Sequence, residues 1–421
     1  MEGYTKTEIG EIPKHWKLVT LGEMGEFSKG RGLAKKDLSN EGIPCVRYGE
    51  LYTEHHYVIK EFKSFIPENK KKEGTLLEKG DILFAGSGET LEDIGKSVAF
   101  ISEIEAYAGG DIIIYKSKQF DSVFLGFCLN QEIINKQRMK LGQGNSVVHI
   151  YAKHLASLIL PFPPLPEQKR IAKILSTVDE KIENIDQQIA ETEQLKKGMM
   201  QRLLTKGIGH TEFKDSPLGE IPKSWEVVKI EDIAEVKGGK RLPKGESLIE
   251  EVTNHPYIRV ADMYMGGINL DNILHVPDDI FPSISRYIIN KDDLFISVAG
   301  TLGIVGEVPS ELDGANLTEN ADKLTNIRIN KAYLLQVLLS PIIQDAVKRE
   351  QTNNAQPKLA LTRIKTFLVP KPQKEEQQKI ASILSTIDEK IEAQIEKKSA
   401  YLELKKGLMQ QLLTGKKRVQ L

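Results

Sequence analysis

Two cysteines, Cys45 and Cys128, are all that the 421 residues contain. They stand far apart and in no metal-ligand spacing, which speaks against structural zinc and fits a reducing, cytosolic setting. No apolar run approaches the eighteen or so residues that a membrane span requires. The first residues, MEGYTKTEIGEIPK, are polar and predict no signal peptide. Charge of one sign is missing too: 58 Lys and Arg face 59 Asp and Glu, for a net charge of −1. A non-specific coat for nucleic acid is expected to be visibly basic. The balance still allows a binder whose basic residues are gathered on one face.

Catalytic signatures are equally scarce. IGKS (Ile94 to Ser97) resembles the tail of a phosphate-binding loop, but the Gly required five residues before Gly95 is Thr90, so the match fails. HExxH, CxxC, GxSxG and NPPY-like motifs do not occur. His55 and His56 are adjacent without partners at ligand spacing. The chain reads as a recognition device with no active site.

What is present is repetition. LPEQKRIAKILSTVDEKIENIDQQIAETEQLKKGMMQRLLT (Leu165 to Thr205) has a partial copy in QKEEQQKIASILSTIDEKIEAQIEKKSAYLELKKGLMQQLLT (Gln373 to Thr414). Gln168 matches Gln377, Ile171 matches Ile380, Gly198 matches Gly407 and Thr205 matches Thr414, at one offset of 209. The opening motif GEIPKHW (Gly10 to Trp16) returns as GEIPKSW (Gly219 to Trp225) at the same offset. The chain is a tandem duplication, and two copies suit a pseudo-twofold dimer in one chain better than a solenoid. Ile171, Leu175, Val178, Ile182, Ile185 and Ile189 step by four and three residues, as do Ile380, Leu384, Ile387 and Ile391. That is the seam of a coiled coil. Each segment predicts a helix of about 40 residues, roughly 60 Å long. A helix with one apolar stripe needs a partner, and the other copy supplies it. The DEK triplets at Asp179 and Asp388 are expected to be a solvated flank rather than a nuclease site. Gly198 and Gly407 are either tolerated small residues or points where another helix comes close.

The boundaries read 1–163, a first variable region; 164–207, a long helix; 208–371, a second variable region; and 372–416, a second long helix. Strands are predicted at Lys17 to Thr20, Ile43 to Tyr48, Asp81 to Gly86, Ser97 to Ile101 and Asp111 to Tyr115, with a helix at Val123 to Lys140. The second half predicts strands at Pro256 to Val260, Asp293 to Val298, Ile304 to Val308 and Leu324 to Ile329, then a helix at Ala332 to Glu350. Between these regions the offset drifts to 212, pairing Arg47 with Arg259 and Asp81 with Asp293. The fold class is α/β in the mixed α+β sense. Basic clusters recur at matching places: Lys29, Arg31, Lys35 and Lys36, then Lys237, Lys240, Arg241 and Lys244.

The two GEIPxxW motifs, PLPEQKRIAKIL, EEQQKIASIL, LSTVDEKIE with LSTIDEKIE, and LKKGMMQRLLT with LKKGLMQQLLT together resemble the specificity subunit of a type I restriction–modification enzyme. The resemblance covers nearly the whole chain; the second helix departs mildly, opening PKPQKEEQ rather than PLPEQ. It implies two target-recognition domains on an antiparallel coiled coil, each reading one half of a bipartite, asymmetric site on double-stranded DNA, with the helices setting the gap. It implies no catalytic residue in this chain, two modification subunits that bind S-adenosylmethionine, and two restriction subunits that use ATP and Mg. Arg and Lys on guanine, Asn and Gln on adenine, and basic or hydroxyl groups on phosphate are the expected contacts. The candidates are Lys29, Arg31, Lys35, Arg47, Tyr48, Ser87, Glu89, Thr90 and Lys96 in the first domain. In the second they are Lys240, Arg241, Lys244, Arg259, Thr301, Asn316, Thr318, Asn320 and Gln356. A scaffold of two protein-binding modules on a coiled-coil spacer is the alternative; DNA binding at low salt separates the two.

Overall fold

The structure, a computed structural model, describes residues 3–144, 147–350 and 358–420. The chain divides into two compact units, Met1–Asp186 with Glu396–Leu421, and Gln187–Ile395. The division falls inside both long helices, Leu165–Lys206 and Lys374–Leu412. The second unit is one continuous stretch, whereas the first is assembled from two separated stretches.

In the first unit a five-stranded sheet runs in the order Glu26–Lys29, Ile112–Lys116, Ile82–Ala85, Ser97–Phe100, Tyr57–Ile59. Ile82–Ala85 and Ser97–Phe100 are buried at every position, as expected of strands covered on both faces. A four-stranded sheet of Ser64–Ile66, Ile43–Val46, Tyr107–Ala108 and Thr75–Leu76 draws its strands from between those of the first along the chain. The second unit repeats the plan with Glu235–Gly238, Ala321–Thr325, Leu294–Ser297 and Val305–Glu307, and with Leu274–His275, Pro256–Ile258, Ala315–Leu317 and Ile288–Ile289. The expected strand at Leu324 to Ile329 begins instead at Ala321, because Asp322 is drawn into the sheet. The expected helices at Val123 to Lys140 and Ala332 to Glu350 are each two. Ser122–Leu129 and Glu132–Leu141 break where the Asn130 side chain donates to the Ser97 and Gly126 carbonyls. Lys331–Leu339 and Pro341–Glu350 break at Ser340, since Pro341 cannot continue the ladder but starts a helix well.

The long helices pair antiparallel within each unit. In the first unit Asp179 meets Lys405, and Asp186 meets Lys398 at 2.5 Å. In the second, Lys196 lies 2.5 Å from Asp388, and Gln394 donates to Gln188 at 3.3 Å. Partner numbers fall as helix numbers rise, which defines the antiparallel sense. Of the seam read from sequence, Ile171, Leu175, Val178, Ile182, Ile185, Ile380 and Leu384 are buried, whereas Ile189, Ile387 and Ile391 are only half-buried. The DEK expectation needs correction. Glu180 and Lys181 are solvated, but Asp179 and Asp388 are half-buried and ion-paired to lysines of the other helix.

The opening motifs serve to dock the helices. Trp16 Nε1 donates to Glu167 Oε2 at 3.1 Å, and Trp225 Nε1 donates to Glu376 Oε2 at 2.9 Å. His15 and Arg418 also reach Glu167, while His210 and the Ile208 amide reach Glu376. The next residues, Gln168 and Gln377, each accept from a backbone amide in the globular part, at Asp121 and Asn330. The Glu-Gln pair survives in the departing PKPQKEEQ segment for this reason.

Candidate nucleic-acid interface

Both basic clusters leave their sheet at an equivalent glycine. A Cβ on Gly30 would lie 2.1 Å from the Gly109 carbonyl oxygen, and a Cβ on Gly239 would lie 2.1 Å from that of Thr318. Only glycine permits this approach, which turns the chain out of the sheet. Lys29, Arg31 and Lys35 then lie exposed in the first domain, and Lys240, Arg241 and Lys244 in the second. Two are tethered locally: Lys240 stands 5.9 Å from the centre of the Tyr287 ring, and Arg241 pairs with Glu319 at 3.2 Å.

In the first domain the end of the five-stranded sheet opens into a cavity of about 370 Å³. Lys29, Ser87, Ile113, His149, Tyr151 and Lys153 are among its lining residues. Ser87 is buried and lies 3.0 Å from His149 Nδ1, so it orients the imidazole instead of offering a free hydroxyl. Tyr151 is 49 % exposed. Sequence reasoning missed His149, Tyr151 and Lys153. Their only signal was the break after the helical run ending at Lys140 and before the short apolar run HLASLILPF (His154 to Phe162), which gives no indication that the segment returns to the sheet.

The corresponding place in the second domain has other chemistry. Ile113 stands opposite Lys29 and Phe84, whereas Asp322 stands opposite Gly238 and Ile296. Ser87 is bridged to His149, whereas Ala299 is bridged to Lys358. Burial pushes the Asp322 carboxyl up to about 6, against the opposing pull of Lys358. Cation and isoleucine in one domain are thus replaced by glycine and carboxylate in the other.

The remaining candidates separate by exposure. Glu89, Thr90, Thr301 and Tyr48 are exposed, and Asn320 and Lys96 are half-buried. Thr90 is turned to Asp93, at 3.0 Å. Lys96 donates to the Tyr52 carbonyl at 3.0 Å, and burial lowers the pKa of its ammonium. A polar cavity of about 210 Å³ beside it is lined by His56, Asp93, Asn135 and Arg138, with the Arg138 guanidinium bound to the Gly95 carbonyl. Asn316 and Thr318 are buried, so they do not form a contact surface. The Asn316 amide donates to the Ile284 carbonyl at 2.9 Å, which braces the sheet. Gln356 lies outside the described residues. Arg47 and Arg259 are each clasped by a carboxylate three residues on.

A family model described as type I restriction modification DNA specificity domain matches residues 13–194 and again 222–400. The chain belongs to the type I restriction–modification DNA specificity family. The MjaVIII specificity subunit, a type I restriction enzyme component of Methanocaldococcus jannaschii, is 28 % identical over 97 % of this chain and 94 % of its own length. A second protein of that organism, provisionally named the type I restriction enzyme MjaX specificity subunit, is 30 % identical over 99 % of this chain and 97 % of its own. Among solved structures, the S subunit of a type I restriction–modification system from M. genitalium has the same fold. Its TM-score is 0.62 at 19 % identity, over 95 % of this chain and 96 % of that one. The two matches of the family model fall on the two halves of the duplication, so the specificity domain is present twice. No helix among the described residues is long and apolar enough to cross a membrane.

Proposed function

We propose that this chain is the DNA-reading subunit of a type I restriction–modification complex in the cytoplasm. Each domain reads one half of a bipartite, asymmetric target on double-stranded DNA, and the helix pair sets the gap. The observation that carries this reading is one recognition fold held twice on paired helices, with unlike side chains at equivalent places. Identical linings would suit a palindrome; Lys29 with Ile113 against Gly238 with Asp322 suits two different half-sites. Chemistry is supplied by partners: two modification subunits that bind S-adenosylmethionine, and two restriction subunits that use ATP and Mg.

The helices also offer two like docking places for the modification subunits. A Cβ on Gly198 or Gly407 would meet nothing within 4 Å among the described residues, so the space beside each glycine is open. Leu195 and Leu404, one helical turn away and equivalent by the same offset of 209, are 54 % and 48 % exposed. Two matching apolar turns with a glycine suit two copies of one partner.

Methylome sequencing of a host carrying this chain with its modification partner tests the reading. The expected result is methylation of one bipartite motif with a fixed gap and two dissimilar halves. Methylation that ignores the presence of this chain overturns it. Purified chain alone, given S-adenosylmethionine and DNA, is expected to transfer no methyl groups.

A further inference from the structure

Arg47 and Arg259 hold one pose in two domains whose other linings differ. Each follows a strand that pairs in parallel with a later strand, Ile43–Val46 with Tyr107–Ala108 and Pro256–Ile258 with Ala315–Leu317. At the following turn the backbone amide of each arginine donates to the carboxylate three residues on: Arg47 to Glu50 Oε2 at 3.2 Å, and Arg259 to Asp262 Oδ2 at 2.8 Å. The Nε of each donates to the same carboxylate, at 3.3 Å and 2.9 Å. The carboxylates are buried, while the arginine side chains are 30 % and 31 % exposed. One acid is glutamate and the other aspartate, yet the amide and Nε contacts are shared; Arg259 adds a second side-chain hydrogen bond, from Nη2 to Asp262 Oδ1 at 2.5 Å.

The clasp fixes a planar, permanently charged group by its inner edge and leaves outer N–H groups to point elsewhere. Neither Nη of Arg47 and not Nη1 of Arg259 has an acceptor among the described residues; Nη2 of Arg259 also reaches the Asn272 carbonyl at 2.8 Å. Glu50 takes a further hydrogen bond from Ser64, so the acid is braced from behind. A group that distinguishes bases should differ between two domains that read different half-sites. A group that holds the sugar–phosphate backbone has the same task in both, because the backbone is the same.

We propose that Arg47 and Arg259 are the shared backbone grip: each donates from its outer edge to a DNA phosphate, and neither reads a base. This rests on the DNA-reading function proposed above. It divides the candidates into a common pair that positions the duplex and unlike side chains, such as Lys29 and those near Asp322, that are left to discriminate.

The test uses the full chain in complex with its modification partner. The ligands are fluorescent duplexes carrying the methylome-defined target or a scrambled sequence, titrated from 50 to 200 mM salt. Wild-type complex that binds neither duplex sinks the DNA reading itself. If it binds, the paired variants Arg47→Met with Glu50→Gln, and Arg259→Met with Asp262→Asn, remove each clasp without leaving a buried charge. The expected result is about a tenfold loss on target and scrambled duplex alike, a salt slope shallower by about one, and unchanged half-site sequences in the methylome. Relaxation at one base of a half-site would make the arginine a base reader and overturn the proposal. A folded variant with unaltered affinity and slope would overturn it as well, by reducing the clasp to a brace for the turn. Should the paired variants melt early, Arg47→Lys and Arg259→Lys keep the charge beside the carboxylate. They are expected to lower affinity for both duplexes by one common factor, and a loss confined to the target refutes the grip.

Discussion

Asp322 shows what a single side chain can cost and do. Its carboxylate is drawn into a strand paired on both sides, at a place that in the first domain holds an isoleucine, and burial raises its pKa to about 6. The folded chain therefore keeps a proton between about pH 4 and pH 6 that the unfolded chain has lost. Stability contributed by this site is present below pH 4 and falls as pH rises through 6. Asp322→Asn is expected to raise the melting temperature at pH 7.5 and to flatten its dependence on pH between 5 and 7. Thermal melts at a series of pH values check both. At this scale the sequence was only partly legible. Basic loops such as Lys29 to Lys36 could be found because they recur at the matching place in the second half, Lys237 to Lys244. Asn316 was misjudged because alternation in ANL does not reveal which neighbour, here the Ile284 carbonyl, claims the amide.

The helices were legible because their apolar period is long and repeated, and nothing local competes with it. What the period could not supply was the register of the partner, and the flanks depend on that register. Asp179 and Lys405 show the consequence. Burial raises the carboxyl's pKa and lowers the ammonium's, so desolvation outweighs the pairing for both groups. Lys405 also lies 3.9 Å from the centre of the Tyr57 ring. Such a pair contributes more to register than to stability. Lys405→Ala strands the carboxylate and is expected to destabilise by about 1–3 kcal/mol, discounted for the partly open site. Asp179→Leu with Lys405→Leu should be nearly neutral in a denaturant titration. A heptad inserted after both Asp186 and Ile395 leaves the pairings inside each unit untouched and lengthens each helix by roughly 10 Å. The methylome of that variant is expected to show a gap wider by up to about three base pairs, with both half-sites unchanged. An active variant with the original gap would show that the helices are not the ruler.

The duplication was legible for the whole molecule, since an offset repeated in motifs at both ends of each half leaves little freedom. Exchange of one recognition region is best made at Lys17 and Phe162. Those residues face each other in a two-stranded ribbon, and Glu226 and Lys371 do the same in the second half. Replacing 17–162 by the region of a relative should change one half-site in the methylome and preserve the other; a change in both would contradict modular reading. What the sequence did not disclose is that the two units differ in continuity. Leu412 and Leu413 complete the hydrophobic core of the first unit, and Tyr4 donates to the Gly415 carbonyl at 2.9 Å.

That closure sets an order of synthesis. Every residue of the second unit, 187–395, has been joined to the growing chain before residues 396–421 are made, yet the first unit needs those residues for its core and for the Arg418 contact with Glu167. The half translated first is therefore the half completed last. On stalled ribosomes with residues 1–395 outside the exit tunnel, limited proteolysis should find the second unit resistant and the first still open. Release of residues 396–421 should then protect both.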